Sequence, residues 1–192
     1  GGVYNHIYST GEKVWVNEGQ AILPGHDDYF DVLRMQADGI TSEANIGLTG
    51  DLYNRAYQET IGFFILNGYE LNNNFFIFPY DWRLDNTQSV SLLNQKIEAI
   101  KNQTGSEKVD IIAHSMGGLI ARYYISDSNK ASKVNKLIEL GVPHLGTPWS
   151  IKALMYGAQI GPSYLFGLIA LNTNEVKDIA QNLTSNFQLI PS

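Results

Sequence analysis

The hydrophobic pattern in the middle of the chain switches between two spacings, and this predicts strands separated by helices. Residues 75–78, 109–113 and 136–142 are short apolar runs with the length and composition of strands buried on both faces. Between these runs, apolar residues recur every three or four positions, which is the spacing of one helix face. The order strand, helix, strand, helix, strand indicates a parallel sheet with right-handed crossovers.

Four helices are predicted from apolar residues at steps of three and four. The first begins near Asp51 and stops at Asn67-Gly68, and two more follow the first two predicted strands. Asn172 and Glu175 form an N-cap and N3 pair for the fourth. In chain order, the apolar positions of the four helices are Tyr53, Tyr57, Ile61 and Phe64; Val90, Leu93, Ile97 and Ile100; Ile120 and Tyr124; Val176, Ile179 and Leu183.

The chain of 192 residues has the organisation of one incomplete domain. Residues 1–50 are a turn-rich leading region, residues 51–148 carry the strand–helix core, and residues 149–192 predict cap or lid helices. No repeat and no linker rich in Pro, Gly or Ser divides these regions. Because few strands are predicted and the sequence starts with Gly1-Gly2 rather than Met, we expect a partial domain that is incomplete at both ends.

Composition and charge narrow the classes of function. With 13 basic and 19 acidic residues, the net charge of −6 argues against a nucleic-acid-binding protein. The absence of cysteine excludes disulfides, zinc–thiolate sites and thiol nucleophiles. The longest nearly apolar run, residues 160–171, is about 12 residues long, whereas a membrane span needs roughly 17–25. This run is either a mobile lid that meets lipid or a segment buried against the sheet.

The segment from Ala113 to Gly117 carries the clearest chemical signal. It matches the nucleophile-elbow pattern G-x-S-x-G, with alanine in the first position and Ser115 as the serine. A predicted strand precedes it and a predicted helix follows it, which is the context that such an elbow needs. Small residues are expected two positions before and after the serine, because larger ones would collide in the sharp turn. The alternative is a structural serine in a tight strand-to-helix turn.

Residues in this segment and in an earlier one have candidate roles. The Oγ atom of Ser115 is predicted to attack an ester, and the backbone N–H of Met116 is predicted to stabilise the resulting oxyanion. Tyr80 and Asp81 follow the first predicted strand at the carboxyl edge of the sheet, where ligands bind, and we predict that they contact substrate. The alternative for Asp81 and Arg83 is an ion pair or hydrogen bonds that fix the loop. His114 is expected to pack beside the elbow.

Five segments of the chain resemble the lecithin:cholesterol acyltransferase family of α/β-hydrolases. They are KVWVN at 13–17, FPYDWR at 78–83, AHSMGG at 113–118, GVPHLGTP at 141–148 and FQLIPS at 187–192. The resemblance implies an α/β-hydrolase-type parallel sheet with flanking helices and a helical cap region near the C-terminus. It also implies that Ser115 accepts an acyl group from a lipid ester, that Met116 N–H is an oxyanion donor, and that no metal or organic cofactor takes part.

The remaining members of a catalytic triad are harder to find. In this fold the order is serine, then an acid, then histidine, on loops after later strands. The only histidine after Ser115 is His144, which we interpret as a turn residue of the GVPHLGTP segment. Asp127 and Asp178 lie in or near predicted helices. We therefore expect the acid and the histidine to lie outside these residues, and the chain alone to be poorly active.

These observations together predict a serine-dependent acyl-ester hydrolase or acyltransferase that acts on lipids. Its expected partners are a lipid ester and, transiently, a membrane or lipoprotein surface, with no nucleic acid. Two alternatives stay open: a lipid- or protein-binding domain without a complete triad, and a carboxylesterase for small esters. The sequons at Asn102 and Asn182 are too common to assign a compartment, although an extracellular or cell-surface location is the one we favour.

Overall fold

The computed structural model describes residues 4–8, 14–15, 27–44, 46–52, 54–157 and 173–192. The strands in these residues are β1 (Tyr4–Tyr8), β2 (Ile46–Leu52), β3 (Val109–His114) and β4 (Val134–Leu140). The α-helices are α1 (Asn54–Leu66), α2 (Asn86–Thr104), α3 (Met116–Ile125), α4 (Ser128–Ala131), α5 (Pro148–Tyr156), α6 (Thr173–Gln181) and α7 (Thr184–Phe187). A 3₁₀ helix spans Asp27–Leu33.

Within the described ranges there are two two-stranded sheets, one formed by β1 with β2 and the other by β3 with β4. The β3–β4 pair is parallel, and its register places His114 opposite Leu140. Helix α3 lies between these strands in sequence, as a strand–helix–strand unit requires. The predicted parallel sheet with flanking helices is therefore confirmed for these two strands.

The chain divides into two compact units. The sheet unit holds the described residues of 1–5, 48–82 and 86–144, and the helical unit holds those of 6–47, 83–85 and 145–192. In the sheet unit, α2 packs on α3, and α3 packs on β3 and β4. On α2, Val90, Leu93 and Ile97 are buried as the spacing predicts and Ile100 is half-buried, and Ile120 and Tyr124 of α3 are almost fully buried. The buried hydrophobic side chains of this unit are Tyr80, Val90, Leu93, Ile97, Ala113, Met116, Ile120, Ala121 and Tyr124.

The helical unit has a core of its own. Helix α6 packs against both the 3₁₀ helix and α5. Val176 and Ile179 are buried on α6 as predicted, whereas Leu183 is buried just beyond the end of that helix. The hydrophobic core residues are Val14, Phe30, Leu33, Met35, Val176, Ile179, Ala180 and Leu183. Among the described residues, no helix is both long and apolar enough to cross a membrane.

The strand predicted at residues 75–78 is wrong. The backbone of Phe75 is used in a turn instead, because its N–H donates to Glu70 O at 3.0 Å and its carbonyl accepts from Asn72 N–H at 2.8 Å. Its ring stacks on Phe64 at 4.9 Å and meets Tyr69 edge-on. The three asparagines before Phe75 favour this turn, since Asn72 adopts a φ of 60°. Phe75 therefore belongs to an aromatic cluster rather than to the hydrogen-bond ladder of a sheet.

Other boundaries differ from the predictions by a few residues. The first helix begins at Asn54 rather than near Asp51, because residues 51 and 52 belong to β2. Strand β4 begins and ends two residues earlier than the predicted 136–142. The apolar run 160–171 and the predicted N-cap Asn172 lie outside the described residues.

Candidate active site

Ser115 is the single residue between β3 and α3, and its backbone is strained. Its φ is 52° and its ψ is −131°. Among the described non-glycine residues, only Asn72 shares a positive φ, and asparagine adopts this conformation readily. For a serine, such a conformation costs about 1–3 kcal/mol, and residues held this way cluster at functional sites. The side chain of Ser115 does not cap α3.

Two backbone hydrogen bonds hold this turn in place. Ser115 N–H donates to the carbonyl of Leu140, the last residue of β4, at 2.9 Å. Gly118 N–H donates to the carbonyl of Ser115, also at 2.9 Å. The serine is thus fixed on one side to the neighbouring strand and on the other to the first turn of α3.

The two glycines after Ser115 differ in how much space surrounds them. A Cβ atom added at Gly117 would lie 3.6 Å from the hydroxyl oxygen of Tyr80, which is an ordinary contact. A Cβ added at Gly118 would lie 2.1 Å from Cγ2 of Val142, where no atom fits. A Cβ atom therefore fits at Gly117, and the expected collision of a larger side chain at this position stays a prediction. The position where even a Cβ does not fit is Gly118, and the Gly-Gly pair was its only signal in the sequence.

Met116 begins α3, so its N–H belongs to the helix N-terminus. The first four N–H groups of an α-helix have no partner within the helix, and the helix dipole favours negative charge there. The side chain of Met116 is buried. This placement is the one that the predicted oxyanion role needs, and the role itself stays a prediction.

The PYDWR segment contributes to both units. Tyr80 is buried and approaches the first turn of α3, and Asp81 is half-buried in the same unit. Arg83 is 2% exposed, and it donates to Leu33 O at 3.4 Å and to Ser42 Oγ at 3.1 Å. The alternative in which Arg83 fixes a loop through hydrogen bonds is thus confirmed. Substrate contacts by Tyr80 and Asp81 remain predictions.

His114 lies beside the elbow, where it pairs with α1. Its Nδ1 atom shares a hydrogen bond of 3.1 Å with the hydroxyl of Tyr57, and the two rings meet edge-on. Desolvation by burial lowers the pKa of His114 below 6.5 and raises the pKa of Tyr57 above 10.0. Both shifts favour the neutral forms of the two side chains.

His144 lies in the turn after β4, as predicted. Its Nε2 atom is 3.3 Å from Oε2 of Glu139, and Nη1 of Arg122 is 3.9 Å from the same oxygen. Sequence reasoning missed Glu139, whose only signal is an acidic residue within an apolar strand. The structure therefore places Tyr80 beside Gly117, two residues after Ser115, and it groups His144 with Glu139.

Comparison with known proteins decides the family. The family model of lecithin:cholesterol acyltransferase matches residues 31–192, which is most of the chain. The chain belongs to the lecithin:cholesterol acyltransferase family. The resemblance seen in segments 78–83 and 113–118 is thereby confirmed.

Two curated relatives from Arabidopsis thaliana illustrate the similarity. Phospholipase A(1) LCAT3 is 33% identical over 97 residues, which are 48% of this chain and 22% of that protein. Lecithin-cholesterol acyltransferase-like 4 is 29% identical over 92 residues, which are 46% of this chain and 17% of that protein. This member of the lecithin:cholesterol acyltransferase family thus spans less than a quarter of the length of either relative.

Clusters of metal-ligating side chains are absent from the described residues of this family member. Within the described ranges, no three His, Asp or Glu side chains lie close enough together to hold a metal ion. The chemistry that the described residues do offer is that of a strained serine at a helix N-terminus.

Proposed function

We propose that this chain carries the nucleophile of a serine-dependent acyl-ester hydrolase or acyltransferase that acts on lipids. The observation that carries the proposal is the backbone of Ser115, with its φ of 52° between β3 and α3. Strain of this kind persists only where the surrounding structure imposes it, and it is typical of a nucleophile elbow. Membership of the lecithin:cholesterol acyltransferase family supports the same assignment.

The chemistry follows from the groups at the turn. Ser115 Oγ attacks the ester carbonyl and gives its proton to a general base, and the carbonyl oxygen becomes an oxyanion. The N–H of Met116 stabilises that oxyanion together with the dipole of α3. The leaving alcohol departs with a proton, and an acyl-enzyme remains on Ser115. Water or a second hydroxyl group then attacks the acyl-enzyme and releases the serine.

A lipid ester is the proposed substrate. One relative is named as a phospholipase and another as an acyltransferase-like protein, which supports a fatty acyl ester and either water or an alcohol as acceptor. Tyr80 and Asp81 are the proposed substrate contacts, because Tyr80 lies beside the first turn of α3 and Asp81 is the next residue in the chain. A transient contact with a membrane or lipoprotein surface would deliver such a substrate.

The proposed architecture is an α/β-hydrolase-type domain of which this chain is a part. Residues 1–50 form the leading region, residues 51–148 the core with the elbow, and residues 149–192 the cap or lid helices. The parallel β3–β4 pair and helices α2 and α3 support the core assignment. The acid and the histidine of the triad are proposed to lie outside residues 1–192, so these residues alone should turn over little substrate.

The test uses the longest native polypeptide that contains these residues. Release of fatty acid from phosphatidylcholine vesicles is compared for wild type, Ser115→Ala and Ser106→Ala. Ser106 lies on a loop before β3 and is the matched control. We expect the first variant to lose at least about a thousandfold in activity, and the control to equal wild type. Undiminished activity of Ser115→Ala, or a wild type that cleaves only short water-soluble esters, would contradict the proposal.

A further inference from the structure

The first turn of α3 approaches two side chains of the sheet unit. At Gly117, the hydroxyl oxygen of Tyr80 would be 3.6 Å from an added Cβ. At Gly118, Cγ2 and Cγ1 of Val142 would be 2.1 Å and 2.8 Å from an added Cβ. The first turn of α3 therefore has little freedom to move toward Val142 at Gly118. Tyr80 limits its movement at Gly117.

The segment that supplies Val142 also contacts the serine. Leu140 accepts the hydrogen bond from Ser115 N–H, and Val142 packs on Gly118 two residues later. Met116 lies between Ser115 and Gly118 in sequence, so both of its flanks are fixed by one short segment. A displacement of that segment would move the N–H of Met116 relative to Ser115 Oγ.

We propose that Val142 is a positioning residue for the elbow, and that Tyr80 supports the same turn at Gly117. Its side chain sets where the Met116 N–H lies relative to Ser115 Oγ, and thereby sets the rate of acylation. The inference rests on the proposed function, since it assigns a role within the same site. A misplacement of about 1 Å at a reacting centre can cost about a hundredfold in rate. Loss of the two Val142 methyl groups would let the Met116 N–H move by a fraction of that distance relative to Ser115 Oγ.

The first experiment separates positioning from folding. The longest native polypeptide is treated with a fluorophosphonate, and the limiting labelling rate and the half-saturating probe concentration are measured well below the unfolding temperature. We expect Val142→Ala to lower the limiting rate about tenfold and to leave the half-saturating concentration unchanged. The matched control is Val90→Ala, at a buried position of α2. It should lower the unfolding temperature without slowing the labelling of the folded protein.

The second experiment tests the contact with Gly118 by rescue. Gly118→Ala should nearly abolish labelling, because the added Cβ meets Val142. Combining it with Val142→Ala removes the two atoms at 2.1 Å and 2.8 Å, so the double variant should label faster than Gly118→Ala. Gly62→Ala on α1 is the control, since its added Cβ meets nothing within 4 Å. That variant should label like wild type.

A third measurement does not depend on catalysis. The amide resonance of Met116 should move in Val142→Ala and stay in place in Val90→Ala. Wild-type labelling rates in Val142→Ala, an unmoved Met116 resonance, or a double variant no faster than Gly118→Ala would each overturn the inference. If wild type is not labelled at Ser115, the proposed function fails, and the Met116 resonance alone decides the positioning role. If Gly118→Ala does not fold, the labelling rate of Val142→Ala and the Met116 resonance decide the positioning role.

Discussion

Two neighbouring strands end at the same edge of the sheet, and the chain leaves them by different turns. After β3, Ser115 alone makes the turn into α3, with a φ of 52° on a residue that has a side chain. After β4, residues 141–147 lead to α5, and the positive φ values of 57° and 78° fall on Gly141 and Gly146. Glycine adopts these conformations without a steric cost, so the second turn is relaxed where the first is strained.

The starts of the two helices differ in the same way. Helix α5 has Thr147 as an N-cap that accepts a hydrogen bond from Trp149 N–H, and Pro148 in its first turn. Helix α3 begins directly after Ser115, whose side chain makes no cap. The sequence thus supplies stabilising residues at the second turn and omits them at the first. The turn after β3 keeps its strain, whereas the turn after β4 relieves it. This difference is a physical reason to place the chemistry at Ser115.

The largest expected effect concerns the relaxed turn. Gly146→Ala should lower the free energy of unfolding by about 3 kcal/mol, because it adds a left-handed backbone penalty to overpacking. The added Cβ would lie 2.6 Å from backbone atoms of Ile190 and Pro191. Gly141→Ala is the control, since its φ is also positive but its added Cβ meets nothing within 4 Å. Urea unfolding should give a loss of only about 1 kcal/mol there. Equal losses in both variants would argue against the close approach at Gly146.

The next effect measures the strain at the first turn. Ser115→Gly should be more stable than Ser115→Ala by about 1–2 kcal/mol, because glycine adopts the positive φ without strain and alanine does not. Both variants lack the hydroxyl, so the difference in their free energies of unfolding isolates the backbone. Urea unfolding of the two proteins measures it. Identical stabilities would mean that Ser115 is unstrained, and the comparison between the turns would fail.

A smaller effect is expected at the cap of α5. Thr147→Ala should lower the free energy of unfolding by about 1 kcal/mol, because the N–H of Trp149 loses its partner. Thr147→Ser keeps the hydroxyl and should retain most of the stability. Thermal unfolding of both variants checks this, and a serine variant as unstable as the alanine variant would show that the hydroxyl is not the cause.

The smallest effect concerns His114 at the end of β3. Partial desolvation holds the pKa of its imidazole below the ordinary value of 6.5, so the unfolded chain binds this proton at higher pH than the folded protein. Its contribution to stability is therefore complete above the unfolded pKa and is lost as the pH falls toward the folded pKa.

His114→Gln removes this titration, so it isolates the contribution of the imidazole. The free energy of unfolding is measured for wild type and variant from about pH 8 down to about pH 5. Wild type should lose more stability than the variant over the acidic part of this range. Parallel curves would contradict the lowered pKa.

Helices with a regular apolar face could be predicted from the sequence. Val90, Leu93 and Ile97 lie on one face of α2 because a helical period places them there, and all three are buried. The strand at 75–78 could not be judged in this way. An apolar run indicates burial but does not say which backbone groups will bond, and the backbone of Phe75 bonds to Glu70 and Asn72.

The position of Ser115 between a strand and a helix was predictable, because the small residues and the flanking elements are adjacent in sequence. The contacts that hold the elbow were not predictable. Val142 meets Gly118 only because β3 and β4 pair in parallel with a particular register. Glu139 meets His144 through the turn after β4, and it meets Arg122 because α3 packs on β4. The spacing of apolar residues along the sequence indicates which face of a helix or strand is buried. Contacts such as these depend on how the helices and strands pack together.

The role of Ser115 as the nucleophile is tested by the site of covalent labelling. The longest native polypeptide is treated with a fluorophosphonate, digested and examined by mass spectrometry. We expect one adduct, on the peptide that contains Ser115, and its complete loss in Ser115→Ala. An adduct on another residue that persists in Ser115→Ala, or no adduct on the wild-type protein, would contradict it.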